Sequence, residues 1–365
     1  MSRFDSVAEI VREAIAGRAF PSASIEIGCH DGARWFAAFG ALTFDPLAPF
    51  ATPETIYDLA SLTKVIATAT LTMRAIDRGQ LSLEDPLSTW FRDWRGLTRE
   101  RVNVRHLLTH TAGLPAYLPF YRDLTGRAEF EHAICTLPFE YAPGTRSVYS
   151  DLGFILLGFL LEDVAPGRTA FAGAAGAYDP LRSLREQFRR VSAFITDEPL
   201  AFNPPRAWRE RCAPTEIDMW RGRLLIGEVH DENCWALGGA AGHAGAFGTS
   251  GAVGAFARAV LRTTRGESVL ALPSTMREFM TRCDVPGSSR ALGWDTMLPS
   301  SSCGRLMSPT AIGHTGFTGT SLWIDWERDL YVVFLTNRVH PTRENNAIRE
   351  VRRKVHEAVV EEVAS

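Results

Sequence analysis

The amino-acid sequence predicts a mixed α/β (α+β) fold. Three observations carry that prediction: strand-type runs lie near both chain ends, helical patterns stand at both termini, and the long middle is dominated by helices and loops. In order, Met1 to Phe20 interleaves acids and bases around Val7, Ile10, Val11 and Ile15, an amphipathic helix. Ser22 to Cys29 and Arg34 to Phe39 are short β-type runs around His30-Asp31-Gly32, which predicts a hairpin. An apolar helix then opens at Ser61. It runs through Val65, Ile66, Ala69, Met73 and Ile76 to Arg78-Gly79, where a basic last turn meets the residue that best tolerates a left-handed helix end. Asp85-Pro86 and Leu114-Pro115 punctuate the helical region that follows. The apolar run Leu152 to Leu161 is too short to cross a bilayer and reads as a buried helix. Gly167 to Asp179 is rich in glycine and alanine and Glu198 to Pro205 in proline, so loops are expected there. Ser321 to Asp325 and Leu330 to Thr336 read as strands joined by Trp326-Glu327-Arg328-Asp329. The second is nearly all apolar, the mark of a central strand covered on both faces. Arg343 to Val363 is a closing helix expected to cover the sheet.

With 365 residues, 45% hydrophobic and 22% charged, the chain suits one large or two intimate domains with ample core. A net charge of −3 supplies no basic field for nucleic acid or an anionic membrane, so the expected partner is a small neutral or mildly charged molecule. The first twenty residues lack the charged-then-apolar order of a signal peptide, which predicts a cytoplasmic protein. Six cysteines stand at 29, 135, 212, 234, 283 and 303 without a Cys-x-x-Cys pair, so buried free thiols are expected. No GxGxxG follows a strand, and no cofactor is expected.

The chemistry centres on Ser61-Leu62-Thr63-Lys64. Residues three apart share a helix face with Cβ atoms roughly 5 to 6 Å apart, which brings the Lys64 amine within reach of the Ser61 hydroxyl. A serine becomes a nucleophile when a neighbouring base takes its proton, and a lysine serves if burial and a helix N-terminus lower its pKa. Only Lys64 and Lys354 are lysines among 39 basic residues. A chance Ser-x-x-Lys in such a chain has odds of roughly one in eight, and an arginine could not act as the base. Tyr149, in the Tyr141-to-Asp151 stretch behind the Pro143-Gly144 turn, precedes the buried helix and is a second candidate, either catalytic or an aromatic anchor.

Metal readings have less to stand on. His106 and His110 share a helical face but lack the glutamate of a zincin, and are expected to bond backbone groups of the turn Thr111-Ala112-Gly113. His230, Asp231 and His243 are metal-type residues without a recognisable spacing. The glycines of Leu237 to Gly245 point to close backbone approach beside a pocket or another element.

With Ser61-Leu62-Thr63-Lys64, Tyr149-Ser150-Asp151 and His314-Thr315-Gly316 in that order, the chain resembles the penicillin-recognising serine hydrolases. The nearest branch is the class C β-lactamase-related group, with its D-alanyl-D-alanine carboxypeptidases and β-lactamase-like esterases. The likeness runs from about Pro21 to Asn337. It implies a β-lactamase/penicillin-binding-protein-like arrangement, an antiparallel sheet flanked by helices with an inserted mostly helical domain. Residues 1–60 and 303–365 would form the sheet domain and residues 61–302 the inserted one.

The resemblance implies that Ser61 is the acylated nucleophile, Lys64 its proton acceptor or electrostatic support, and Tyr149 the relay to the leaving group. It also implies an oxyanion hole from the backbone N–H groups of Ser61 and Phe317, and substrate contacts by Asp151, His314, Thr315 and Gly316. No metal is implied. Asp151 stands where asparagine is usual, and His314 where many relatives have lysine. A histidine titrating near 6.5 is mostly neutral at pH 7.5, so neutral esters are expected to outrun carboxylate-bearing substrates there, by a margin that shrinks as the pH falls. The expected function is a serine acyl hydrolase acting through an acyl-enzyme on a small ester or D-amino-acid amide. The alternatives are a β-lactamase and a non-catalytic penicillin-binding relative holding a peptidoglycan-like ligand. The segment Ala165 to Leu200 yields no pocket residues.

Overall fold

The strand-forming runs from the two ends of the chain meet in one antiparallel sheet. A computed structural model describes residues 4–165 and 180–364, so the loop expected over Gly167 to Asp179 lies outside the described residues. The elements that position the site are α1 (Asp5–Ala16), β1 (Ser22–Cys29), β2 (Gly32–Gly40), α2 (Thr70–Asp77), α3 (Asp151–Val164), α4 (Ser250–Thr264), β3 (Asp295–Thr296), β4 (Ile312–Thr315), β5 (Ser321–Asp325), β6 (Leu330–Thr336) and α5 (Ile348–Ala364). The strands run β2-β1-β6-β5-β4-β3 across the sheet. β1 and β6 are antiparallel, from Ala23 opposite Thr336 to Gly28 opposite Tyr331.

Alternation along β6 shows why that strand is apolar throughout. Tyr331, Val333 and Leu335 face the large core that contains α2, α3 and α4, and Leu330, Val332 and Phe334 face a second core under α1 and α5. On β1 the division is chemical. Ala23, Ile25 and Ile27 enter the terminal-helix core, whereas Ser24, Glu26 and Gly28 face α4 and Tyr331. The buried Glu26 carboxylate accepts from Tyr331 Oη at 2.6 Å and Arg258 Nη1 at 2.6 Å, so its charge is paired. α4 approaches this close because position 254 is glycine: a Cβ there would stand 1.9 Å from Glu26 Oε1.

The strands Ser321–Asp325 and Leu330–Thr336 coincide with the sequence expectation, and every residue of the run Leu152 to Leu161 is buried. The closing helix starts later than expected, at Ile348. The residues before it are drawn into other bonds: Arg343 pairs with Glu216 and Glu232, and Asn345 Nδ2 donates to the Arg18 carbonyl. Among the described residues no helix is long and apolar enough to cross a membrane.

Candidate active site

The chain enters the site through a short strand, Tyr57–Asp58, paired with Ala246–Gly248. Asp58 is buried and organises the next turn, its Oδ1 accepting from Ala60 N at 2.8 Å and its Oδ2 from His230 N at 2.7 Å. Ala60 is thereby held at φ +46, a conformation uncommon for a residue with a side chain. Ser61 follows in a single 3₁₀ turn, Ala60–Leu62. The regular α-helix expected from here begins only at Thr70, because Lys64–Ala69 is a π-helix, a geometry frequent at functional sites. The Thr70 hydroxyl donates to the Val65 carbonyl, five residues back, and supports the wider turn.

Lys64 is fully buried, and its three N–H groups have three acceptors: Ser61 Oγ at 3.0 Å, Asp151 Oδ1 at 2.7 Å and the His243 carbonyl at 2.9 Å. Burial alone would push the amine's pKa down. The Asp151 carboxylate, helped by Tyr149, more than offsets burial, and the net direction is up. The condition under which Lys64 would be a ready base, a lowered pKa, is therefore not met: Lys64 rests as an ammonium. Asp151, expected among the substrate contacts, spends an oxygen on Lys64 from the first turn of α3. Two glycines allow this meeting, since a Cβ at Gly242 would lie 2.0 Å from the Phe154 carbonyl of α3 and one at Gly158 would lie 2.8 Å from Gly242 N.

Tyr149 completes the cluster, with the Lys64 ammonium 4.9 Å from its ring centroid and its hydroxyl beside the Lys64 and Ser61 side chains. Burial raises its pKa, Lys64 only partly offsets this, and it stays a phenol at neutral pH. The ring packs against His110 with centroids 4.7 Å apart and His314 at 5.8 Å, with the Arg290 guanidinium 5.0 Å from its centroid. His110 pins the backbone on both sides of Tyr149. Its carbonyl accepts from Val148 N at 3.0 Å and its Nδ1 from Ser150 N at 3.0 Å, a bond open to a neutral imidazole, and burial holds that ring's pKa well below the ordinary value. The bonds expected to the turn after the two histidines form only in part: the His106 carbonyl accepts from Thr111 N at 2.8 Å, whereas the rings turn elsewhere, that of His110 to the Tyr149 loop and that of His106 to Asn103 at the start of its own helix, Val104–Leu108.

The opposite wall is β4. His314 shares its face with the core residue Ile312 and reaches Tyr149; Nδ1 donates to the Thr315 carbonyl at 2.8 Å, and the buried Nε2 has no partner among the described residues. Burial, with the charges of Arg290 and Lys64, drives its pKa well below 6.5. The expected titration of His314 near neutrality is corrected accordingly, because a ring this dry stays uncharged. The neighbouring Thr315 lines a cavity of about 750 Å³ shared with Arg349 and Arg352 of α5.

Gly316 is close-packed, a Cβ at this position standing 2.6 Å from the Leu59 carbonyl. Phe317 is half-exposed, stacked on His230 at 5.6 Å, and its carbonyl accepts from Arg338 Nε at 2.8 Å. The Thr318 hydroxyl donates to the Asp58 carbonyl at 2.7 Å and that of Thr320 to the Leu59 carbonyl at 3.0 Å. From behind, Arg352 Nη2 donates to the carbonyls of Gly316 and Thr320. The segments bearing the Ser61 and Phe317 amides are thus laced to each other. Sequence reasoning missed Asp58, Arg290, Arg338 and Arg352, and gave Thr318 and Thr320 no role although they directly follow His314-Thr315-Gly316; Asp58, three residues before Ser61, also lay near a motif.

The residues considered for a metal do not converge. His243 donates to Asp231, which caps the Glu232–Ala236 helix, whereas His230 donates to Glu216. Among the described residues the one set of three ligand-type atoms within 4.8 Å of one another is Cys29, His30 and Asp329 on the hairpin turns, where both His30 nitrogens are taken by Asp329 and Asp31.

An antiparallel sheet made from both chain ends, with a serine and a buried lysine at its junction with the helices, is the architecture of penicillin-recognising proteins. The chain belongs to the Beta-lactamase family, whose model matches residues 7–357. A Salmonella paratyphi B protein provisionally named a D-alanyl-D-alanine carboxypeptidase is 30% identical over 311 residues, 80% of this chain and 71% of its own. EstCE1, described as a hydrolase with promiscuous acyltransferase activity, superposes with a TM-score of 0.72 at 21% identity, covering 97% of both chains. A class C beta lactamase does so at 0.73 and 17% identity, again covering 97% of both. These two likenesses establish the fold.

Proposed function

We propose that the protein is a serine acyl hydrolase that forms an acyl-enzyme on Ser61, with small esters or D-amino-acid amides as substrates. The observation that carries this reading is the Lys64 ammonium bridging Ser61 Oγ and Asp151, with the Tyr149 hydroxyl beside the same lysine and serine. Neither Lys64 nor Tyr149 rests as a free base, so the proton moves by relay. Ser61 Oγ bonds the acyl carbon as its proton passes to Tyr149 Oη, while the Tyr149 proton passes to the leaving group. Lys64 stays charged and stabilises the negative charge that grows on both oxygens. The Ser61 and Phe317 amides receive the acyl oxygen, worth about 3 to 4 kcal/mol per donor. Water, giving its proton to Tyr149 as Tyr149 returns one to Ser61, then releases the acid.

The family membership supports the hydrolase class, and the relatives' names support the two substrate types. The test is a panel of p-nitrophenyl esters, a chromogenic cephalosporin and D-alanyl peptides. Turnover of none of them, with no covalent adduct from a fluorophosphonate, would sink the proposal.

Two predictions arise here. Tyr149→Phe keeps the ring contacts and should fold normally, but lose about 10²- to 10⁴-fold in acylation rate because only the relay is removed. Per-molecule activity equal to wild type would make Tyr149 a packing residue. The second concerns pH. Burial holds the His314 pKa well below its ordinary 6.5, so the ring stays neutral and the ratio of kcat/KM for an acidic and a neutral ester should stay level from pH 6 to 7.5. A ratio that falls as the pH rises through this range would show that His314 carries the charge.

A further inference from the structure

We propose that Cys29, His30 and Asp329 form a zinc site that clips together the two hairpin turns at one end of the sheet. The register of β1 on β6 assembles it. Gly28 stands opposite Tyr331, and continuing that antiparallel pairing by two residues sets His30 across from Asp329. Cys29 closes β1, His30-Asp31 makes the turn into β2, and Asp329 ends the turn from β5 into β6. A thiol, an imidazole nitrogen and a carboxylate oxygen thus lie within 4.8 Å of one another, although 299 positions separate His30 from Asp329 in the chain.

The donor set selects zinc over a hard cation. Sulfur, nitrogen and one carboxylate are ligand types of a tetrahedral zinc with water in the fourth position, whereas magnesium and calcium take oxygen. The surroundings orient the ligands as a bound ion requires. His30 Nδ1 is the nitrogen turned to Asp329, 2.6 Å from Oδ2, and Nε2 lies 2.9 Å from Asp31 Oδ1. A carboxylate on the second ring nitrogen is the partner that fixes the ring of a metal-bound histidine, and here it leaves Nδ1 for the ion. Asp329 is steered too, since its Oδ1 accepts from His30 N at 3.0 Å. The ion takes the place of the proton between Nδ1 and Oδ2, and the buried Cys29 thiol gives its proton to solvent on binding. One group opposes the ion: Arg265, the residue after α4, stands 3.7 Å from Asp329 Oδ2, on an exposed side chain free to turn outward. The site lies at the end of β5 away from Ser321, whose partner Thr315 belongs to the active-site wall, so the metal holds the sheet and takes no part in acyl transfer.

The full-length chain, stripped of metal with EDTA, is titrated with Co²⁺ and with Zn²⁺. Co²⁺ should give a thiolate-to-metal charge-transfer band that saturates at one ion per chain, and Zn²⁺ should displace it and raise the thermal unfolding midpoint. Cys29→Ser should abolish the band, and His30→Gln should weaken Zn²⁺ binding, read by calorimetry, by more than roughly 100-fold. Asp31→Asn keeps all three ligands and should weaken it about 10- to 100-fold. Arg265→Gln removes the opposing charge and should tighten it about 3- to 10-fold. No charge-transfer band in wild type, a band that survives in Cys29→Ser, or a Zn²⁺ affinity unchanged in Asp31→Asn or in Arg265→Gln would each overturn the assignment. The last two variants change exposed side chains and leave the ligands in place, so they decide the matter even if a ligand variant fails to fold.

Discussion

Ser61→Ala is expected to lower kcat/KM for every substrate by about four to six orders of magnitude, since a nucleophile acting as one unit with its proton carriers takes the whole covalent route with it. Wild type exposed to a fluorophosphonate or a penicillin should gain one adduct, mapping to Ser61, and the alanine variant none. The fold should survive, because Ser61 is only partly buried and the neighbouring turn is held by Asp58, Thr318 and Thr320. An adduct that persists in Ser61→Ala would place the chemistry on another residue.

The second large effect joins catalysis to stability. Lys64→Met removes the cation from a fully buried position and leaves Asp151 without its partner. A loss of about 10²- to 10⁴-fold in kcat is expected, together with roughly 3 kcal/mol of stability, the lower end for a broken buried pair because Asp151 keeps 17% exposure. Pairing Lys64→Met with Asp151→Leu should restore much of the stability and none of the activity, as read by denaturant midpoints and initial rates. If the double variant stays as unstable as the single one, the destabilisation comes from packing rather than from the stranded carboxylate. The sign with pH also follows. The folded pKa of Lys64 is raised, so the contribution of its charge is complete below the ordinary value of 10.5 and is lost only as the pH rises through the higher folded value. Neutral and mildly alkaline solutions should therefore not weaken the fold through this group.

Much of the frame was legible because it depends on local pattern. The apolar runs at 152–161 and 330–336 lie where hydrophobicity placed them, and Lys64 reaches Ser61 as three-residue spacing requires. What was illegible depends on burial and distant partners. Nothing near Lys64 in the chain announces that Asp151 will hold its proton, and nothing in His314-Thr315-Gly316 tells that the imidazole is dry enough to stay neutral. β3 and β4 are too short for a periodic signal, and their register comes from pairing with each other and with β5. Arg290 reaches the site through a turn anchored by Trp294, far from any motif.

The pairing of β1 with β6 also bears on how the molecule is made. The strand β1 is translated long before its partner Leu330–Thr336. At about 5 to 20 residues per second, synthesis of the chain between them takes on the order of 15 to 60 s. Throughout that interval the nascent hairpin presents an open edge and the bare faces of Ile25 and Ile27, an invitation to strand pairing with another molecule. Because the turn that backs Ser61 also lies on the late side, a chain cut short before it has neither a closed sheet nor the Thr318 and Thr320 bonds that support the Ser61 turn. Closure of the sheet edge and support for the Ser61 turn thus arrive together, with the strands that follow Gly313.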